Sequence, residues 1–211
     1  DAYLANAAQP WSIPDIESLN IPQIDFNRYP KPFQRNDDLS RSWNVPGSPG
    51  FIHQLGGLEK QGDEGRVSYD ASNHQKMVTL RAQKIAGIAR DYEKLTVEGD
   101  PHASILLVGW GSTYGALKSA IMQCQTDGIP VALVHLRHLN PLPKDLESVL
   151  RSFKHVFVAE LNSGQLCQLL RAQFLINAQS ISQCNGQPFS TSTLVNAIKQ
   201  EVNHEQTNVH A

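Results

Sequence analysis

Ser104-Ile-Leu-Leu-Val-Gly-Trp-Gly-Ser-Thr113 is the stretch on which the fold turns. Its apolar run, Ile105 to Val108, has no polar alternation, the pattern of a strand covered on both faces of a parallel sheet. Gly109-Trp-Gly-Ser-Thr113 then makes a tight turn. Tyr114, Leu117, Ile121 and Cys124 recur at the spacing of one helix face until Asp127-Gly128 stops the helix. Val131-Ala-Leu-Val-His135 is a second apolar strand, so the segment reads as a βαβ unit.

The alternation continues toward the carboxyl terminus. Pro143 is placed for the first position of a helix carrying Leu146, Val149, Leu150 and Phe153, and His155-Val-Phe-Val-Ala159 is a third strand. Asn162 or Ser163 is placed to cap a helix with Leu166, Leu169, Leu170 and Phe174. A short strand is expected around Ser180 to Cys184, and Ser190 caps a last helix with Leu194, Ile198 and Val202. The fold class is therefore α/β, a mostly parallel, Rossmann-like sheet with helices on both faces and right-handed crossovers. It occupies residues 99–203, and the polar residues 204–211 are expected to fray as a tail.

Toward the amino terminus the punctuation changes. Ser72 and Gln75 have the spacing of a capping box, and Met77, Arg81, Ile85, Ile88, Tyr92 and Leu95 form one stripe, which predicts a single long linking helix over residues 69–98. Arg81 is the polar member of that stripe and is expected to snorkel or to meet an acidic partner. In residues 1–68 regular structure is scarce, because seven of the 12 prolines fall in the first fifty residues and six of the 14 glycines between Gly47 and Gly65. Yet Trp11, Ile21, Phe26, Tyr29, Phe33, Trp43 and Phe51 are spread along it and would cost free energy in water. An irregular stretch so far beyond about 15 residues has two readings. It is an arm laid over another subunit or domain, or a long ordered loop on the chain's own globular half.

Composition narrows the function classes. The 211 residues carry 18 Lys and Arg against 20 Asp and Glu, a net charge of -2. With no basic run there is no electrostatic footprint for nucleic acid, and no apolar segment approaches the ~18 residues of a membrane helix. Neither partner is expected. The 3 cysteines, Cys124, Cys167 and Cys184, have no CxxC spacing, which fits neither a zinc site nor a disulfide framework and suits a reducing, cytoplasmic setting. The sequence opens on Asp1 without a secretory pattern and is expected to be a piece with further sequence before it.

In an open parallel sheet, ligands bind outside the carboxyl ends of the strands. Three such ends exist here: Gly109-Trp-Gly-Ser-Thr113, Arg137-His-Leu-Asn140 and Glu160-Leu-Asn-Ser-Gly-Gln165. Gly111, Ser112, Thr113 and Asn162 are candidate anion or ligand contacts, since a glycine turn feeding a helix presents free N–H groups. Set against this, Ser112 or Thr113 also suits a plain helix cap. Gly109, Gly111 and Gly115 make G-x-G-x-x-x-G, one residue longer than the dinucleotide fingerprint. There is no phosphate loop, no G-x-S-x-G elbow and no H-E-x-x-H pair. His138 reads as a structural histidine at a strand end, and Glu160 as a residue that caps a neighbouring turn or pairs with Arg137. The residues alone assign no catalytic group and no metal ligand.

Taken together, several blocks resemble a known family. Pro46-Gly-Ser-Pro-Gly-Phe-Ile-His53, Gly56-Gly-Leu-Glu59, Asn73-His-Gln-Lys-Met77 with Arg81 and Lys84, Gly109-Trp-Gly-Ser-Thr113, Pro141-Leu-Pro143 and Glu160-Leu-Asn-Ser-Gly-Gln-Leu166 occur in this order. They resemble the carboxyl-terminal part of the alpha subunit of 2-oxoacid:ferredoxin oxidoreductases, of the 2-oxoglutarate type. Asp1-Ala-Tyr-Leu-Ala-Asn6 resembles the end of the domain that contacts the thiamine pyrimidine in that family. One departure is Lys60, where many members carry histidine after the glutamate.

The resemblance implies an enzyme that decarboxylates a 2-oxoacid on thiamine diphosphate, passes two electrons through an iron–sulfur cluster to ferredoxin and delivers the acyl group to coenzyme A. It implies that the diphosphate, its Mg2+ ion and the [4Fe-4S] cluster belong to the beta subunit, and that upstream alpha-subunit domains hold the pyrimidine. Residues 99–203 would be the transketolase carboxyl-terminal-like domain, binding no cofactor by themselves, and 1–68 an arm that assembles and closes the active site. Within the arm the resemblance places Ser48 and His53 nearest substrate or coenzyme A. The other class of reading is a free-standing Rossmann-like module that binds a small anion at the strand edge.

Overall fold

The computed structural model describes Asp15 and residues 23–209, with side chains as far as residue 200. The chain divides into two compact units between Arg90 and Asp91. Trp11, Ile21 and the block Asp1 to Asn6 lie outside the described residues.

The first unit is mostly irregular, as its prolines and glycines require. Among the described residues its strands are two short ones, β1 (Lys60–Gln61) and β2 (Arg66–Val67), paired as an antiparallel hairpin. Phe33 organises the loops around them. Its ring lies where a Cβ on Gly65 would stand, 2.1 Å away, so the hairpin turn is closed against a residue that must be glycine, at φ +74°. Helix α1 (Ala71–Gly87) follows, capped by Asp70, whose carboxylate accepts from the Asn73 N–H at 2.8 Å. Ser72 therefore does not cap the helix but sits inside it, donating its hydroxyl to Asp70. A single 3-10 turn, Ile88–Arg90, ends the helical segment, so the stripe breaks before Tyr92 and Leu95. Gly87 is the weakest helix former in that stretch, and the long linking helix expected over 69–98 stops there.

The second unit is the α/β sheet. Its strands are β3 (Val97–Gly99), β4 (Ile105–Trp110), β5 (Val131–Leu136), β6 (His155–Glu160) and β7 (Ala178–Ser182), in the order β3-β5-β4-β6-β7. All pairs are parallel except β3 with β5, an edge strand inside the segment that was expected to be helical. Gly99 at φ +87° ends β3, and the adjacent Asp100 N–H donates to the Val131 carbonyl at 3.2 Å. Helices α2 (Tyr114–Thr126), α3 (Leu146–Arg151), α4 (Gln165–Phe174) and α5 (Thr191–Val209) complete it. Helix α3 begins three residues after Pro143, whose carbonyl accepts from the Leu146 N–H at 3.2 Å instead of opening the helix itself. Helix α5 runs to Val209, through residues expected to fray.

Alternate residues of each central strand fill two separate cores. Leu106, Val108, Val134, Val156 and Val158 pack with α3 and α4 through Leu146, Leu150, Leu166 and Leu170. Ile105, Leu107, Leu133 and Phe157 pack with α2 and α5 through Leu117, Ile121, Leu194 and Ile198. Helices thus cover both faces, as the unbroken apolar runs predict. Each leucine so buried contributes about 1.5–3 kcal/mol relative to exposure, and that is why this unit is held by its middle. Among the described residues no helix is long and apolar enough to cross a membrane.

Candidate functional site

The chain leaves β4 for β5 on one side and returns to β6 on the other. The carboxyl ends of β4 and β6 therefore flank a topological switch point, the usual ligand crevice of an open sheet. Here it is filled from within. Glu160, at the end of β6, is fully buried, and its carboxylate accepts from the Leu166 N–H at 2.9 Å and the Cys167 N–H at 3.0 Å. The Trp110 indole N–H reaches it from the end of β4 at 3.2 Å, and the Asn162 amide at 3.1 Å. A protein carboxylate thus occupies the N-terminus of α4, where an anion would otherwise sit. Capping is the role that the strand-end position of Glu160 had suggested; its partners are these four donors and not Arg137.

Asn162 also accepts from the Gly164 N–H at 2.8 Å, which shapes the turn into α4. Gly164 stands at φ +86°, and a Cβ there would lie 2.9 Å from the Ser180 hydroxyl. Neither Asn162 nor Ser163 makes the cap of the helix proper; the signal for Glu160 was only its place two residues before the turn. At the end of β4, the Thr113 hydroxyl is buried, accepting from the Trp110 N–H at 3.1 Å and donating to the Trp110 carbonyl at 2.9 Å. Gly109 is forced by contact, since a Cβ would meet Leu117 at 2.1 Å and the Thr113 hydroxyl at 2.7 Å. Gly111 and Ser112 remain exposed on the 3-10 turn before α2. The Gly111 carbonyl accepts from the His135 imidazole at 3.1 Å, and burial lowers the pKa of that ring. His138 stacks on Tyr92 with ring centroids 4.1 Å apart, a structural placement.

The second candidate region is the turn in the first unit. Ser48 accepts from the Asn27 amide at 3.1 Å, and its N–H donates to the Val45 carbonyl at 3.2 Å. His53 donates from Nδ1 to the Phe51 carbonyl at 2.6 Å and sets its ring edge-on to Phe33. Beside it lies a cavity of about 790 Å³ lined by aromatic and aliphatic side chains, with Arg41, Asn44 and His53 as its side-chain polar members. Sequence reasoning reached His53 but missed Arg41, which carries no motif; only the fold puts it beside the turn.

Glu59 and α1 form a third cluster. Its carboxylate meets Arg81 at 3.1 Å and His74 at 3.1 Å, so Arg81 has the acidic partner its position called for. Burial opposes ionisation of Glu59, but the hydrogen bonds from Arg81 and His74 prevail and hold its pKa below the ordinary range. Lys60 is buried, and its ammonium donates to the carbonyls of Gly56 at 2.8 Å and Leu58 at 2.6 Å. These two hydrogen bonds close the Gly56–Lys60 loop.

The thiols do not fit an iron–sulfur cluster. Cys124 and Cys167 lie in different cores, where burial raises both pKa values, and Cys184 is exposed. Among the described residues no three His, Cys, Asp or Glu side chains converge to hold a metal ion.

Residues 103–200 match the model of the pyruvate:ferredoxin oxidoreductase core domain II. The chain is 41% identical over 194 residues to the 2-oxoglutarate oxidoreductase subunit KorA of Mycobacterium tuberculosis, a match that takes in 90% of this chain. It belongs to the 2-oxoacid:ferredoxin oxidoreductase alpha-subunit family. A second family member, subunit alpha of 2-oxoacid:ferredoxin oxidoreductase 2 of Aeropyrum pernix, is 29% identical over 216 residues and 95% of the chain. The structure of 2-oxoglutarate:ferredoxin oxidoreductase from Magnetococcus marinus, with 2-oxoglutarate, coenzyme A and succinyl-CoA bound, superposes with a TM-score of 0.74 at 31% identity, over 82% of this chain. The chain spans only 29%, 33% and 30% of the lengths of these three family members.

Proposed function

We propose that the chain is the carboxyl-terminal part of the alpha subunit of a thiamine diphosphate-dependent 2-oxoglutarate:ferredoxin oxidoreductase. The whole complex would convert 2-oxoglutarate, coenzyme A and oxidised ferredoxin to succinyl-CoA, CO2 and reduced ferredoxin, in the cytoplasm. The observation that carries this reading is the 41% identity over 90% of the chain, because so wide a match must take in the irregular first unit as well as the sheet. A generic α/β domain would be shared without its preceding loops, which vary most among relatives.

The role proposed for this part is assembly and closure, not chemistry. Its switch-point crevice is filled by Trp110 and Glu160, and its thiols do not suit a cluster. Thiamine diphosphate, Mg2+ and [4Fe-4S] would be held by the beta subunit and the upstream alpha-subunit domains. Ser48 and His53 are the proposed substrate- or coenzyme A-proximal residues, the turn being tied down by Asn27 at one end and by the Phe33 ring at the other.

The test is to express the whole alpha subunit with its beta subunit and to measure ferredoxin reduction with 2-oxoglutarate and with pyruvate. Coenzyme A-dependent reduction that prefers 2-oxoglutarate is the expected result; absence of any 2-oxoacid-dependent reduction would sink the reading. For the turn, His53→Ala should raise the KM for coenzyme A or 2-oxoglutarate by about tenfold at unchanged complex assembly, the effect of one lost hydrogen bond to a charged group.

A further inference from the structure

One residue outside the turn, Asn27, holds the segment that carries Ser48. Asn27 stands in the left-handed region at φ +55°, which asparagine, aspartate and glycine tolerate better than other residues. Its N–H donates to the Trp43 carbonyl at 2.9 Å. Its side chain reaches the same segment twice more, Oδ1 accepting from the Val45 N–H at 3.0 Å and Nδ2 donating to the Ser48 hydroxyl at 3.1 Å.

These partners fix the direction of each hydrogen bond. A backbone N–H can only donate, so the atom facing Val45 must be the amide oxygen, which leaves the NH2 group facing Ser48. The Ser48 oxygen is thus the acceptor in that bond, and its own hydrogen points away from Asn27. Ser48 is half-buried, and among the described residues that hydrogen meets no acceptor.

We propose that Asn27 is a positioning residue: it turns the Ser48 hydroxyl toward the ligand as a donor, so that Ser48 takes an anionic oxygen, a carboxylate or a phosphate. The inference rests on the proposed placement of Ser48 near 2-oxoglutarate or coenzyme A. To that it adds the polarity of the contact and the residue that sets it. A hydroxyl already accepting from an amide donates to an anion without first being reoriented, and a hydrogen bond to a charged group is the stronger kind. Aspartate at this position would keep the left-handed backbone and the bond from Val45. Having no N–H, it would accept from Ser48 and draw the hydroxyl hydrogen inward.

Steady-state kinetics of the complex of whole alpha and beta subunits, with 2-oxoglutarate and coenzyme A varied in turn, test this. Asn27→Asp should raise one of the two KM values about tenfold and act on KM rather than kcat, as expected when a bond to a charged group is lost from binding. A change in the KM for 2-oxoglutarate identifies the anionic oxygen as a carboxylate, and a change in that for coenzyme A identifies it as a phosphate. Ser48→Ala should raise the same KM by a similar factor, and adding Asn27→Asp to it should raise it no further. Asn27→Gly, which suits the left-handed backbone and leaves the hydroxyl free to rotate, should raise that KM about threefold; it decides the matter if Asn27→Asp does not assemble. Unchanged KM values in Ser48→Ala, in Asn27→Asp or, in that event, in Asn27→Gly would overturn the inference. So would an Asn27→Asp effect as large in the Ser48→Ala background as alone, because the added charge and not the hydroxyl would then be its cause. Each of these results leaves the proposed function standing, whereas no 2-oxoacid-dependent ferredoxin reduction by the unaltered complex would overturn that function and the inference with it.

Discussion

The two units put their apolar side chains to opposite uses. In the sheet, Leu106, Leu107, Leu133 and Val134 are wholly buried, and the buried carboxylate of Glu160 has four hydrogen-bond donors. In the first unit Trp43, Ile52 and Leu55 face outward, and among the described residues no carboxylate pairs with the half-buried Arg41. A unit whose polar groups are satisfied internally is stable by itself and offers little to a partner. One whose large apolar groups are left over is completed by something else. Stability and adhesion are thus separated along the chain, and substitutions distinguish them.

The largest effect belongs to the sheet. Leu133→Ala in β5 should destabilise the protein by about 3 kcal/mol, the sum of lost transfer energy and the cavity left in a packed core. Trp43→Ala, although it removes a larger side chain, should change stability by no more than about 0.5 kcal/mol because most of its surface is already in water. Guanidinium unfolding of both variants measures this; a Trp43→Ala loss as large as that of Leu133→Ala would erase the contrast between the units.

Next comes the filled crevice. Glu160→Ala leaves the Trp110 indole and the N–H groups of Leu166 and Cys167 without their acceptor in a dry site, at a cost of about 2 kcal/mol. Glu160→Gln keeps one acceptor oxygen and should retain part of that. If Glu160→Ala leaves stability intact but abolishes 2-oxoacid-dependent ferredoxin reduction in the assembled complex, Glu160 is a functional group and not a cap. Smaller again is Ser190→Ala, which removes the hydroxyl that accepts from the Thr193 N–H at 3.1 Å, worth about 1 kcal/mol by the usual value of a helix N-cap. A thermal scan reads it as a small downward shift in Tm.

The parts of the molecule that were legible in the sequence are those governed by period and local chemistry. Ile105 to Val108 and Val156 to Val158 are strands because apolar residues without alternation need two covered faces, and the Ser190 cap follows from its hydroxyl at a helix start. The helix over 71–87 was visible, but its end was not: the stripe through Tyr92 and Leu95 kept helical spacing while Gly87 and the pairing of Val97–Gly99 with β5 ended it. Strand pairing is a contact between distant residues and leaves no mark in a local period. The same holds for the site. His53 and Asn162 stand out by type and position, whereas Arg41 becomes notable only when Phe33 lies beneath it and Arg35 across from it. Glu160 was visible as a strand-end carboxylate, but its four donors come from three places along the chain.

The smallest prediction concerns charge at the edge of the sheet. Glu98 on β3 accepts from Lys118 on α2 and from the Tyr114 hydroxyl at 3.0 Å. The hydrogen bond from Lys118 holds its carboxyl below the ordinary 4.5, against the opposing effect of burial and with Tyr114 adding to it. A carboxyl whose pKa is lower in the folded state binds protons more readily when unfolded, so stability rises with pH through that range. The contribution is complete above pH 4.5 and is lost as the pH falls through the lower, folded value. It is small, because the Lys118 side chain is 41% exposed and water screens the pair. Glu98→Gln should therefore lower stability slightly at neutral pH and leave it unchanged at low pH, where the contribution is already lost, so that the acid limb is a little flatter, and added salt should shrink the difference. An acid limb identical in the variant and the parent would assign the acid sensitivity elsewhere, first to Glu59, whose Arg81 and His74 partners make it the corresponding carboxylate of the other unit.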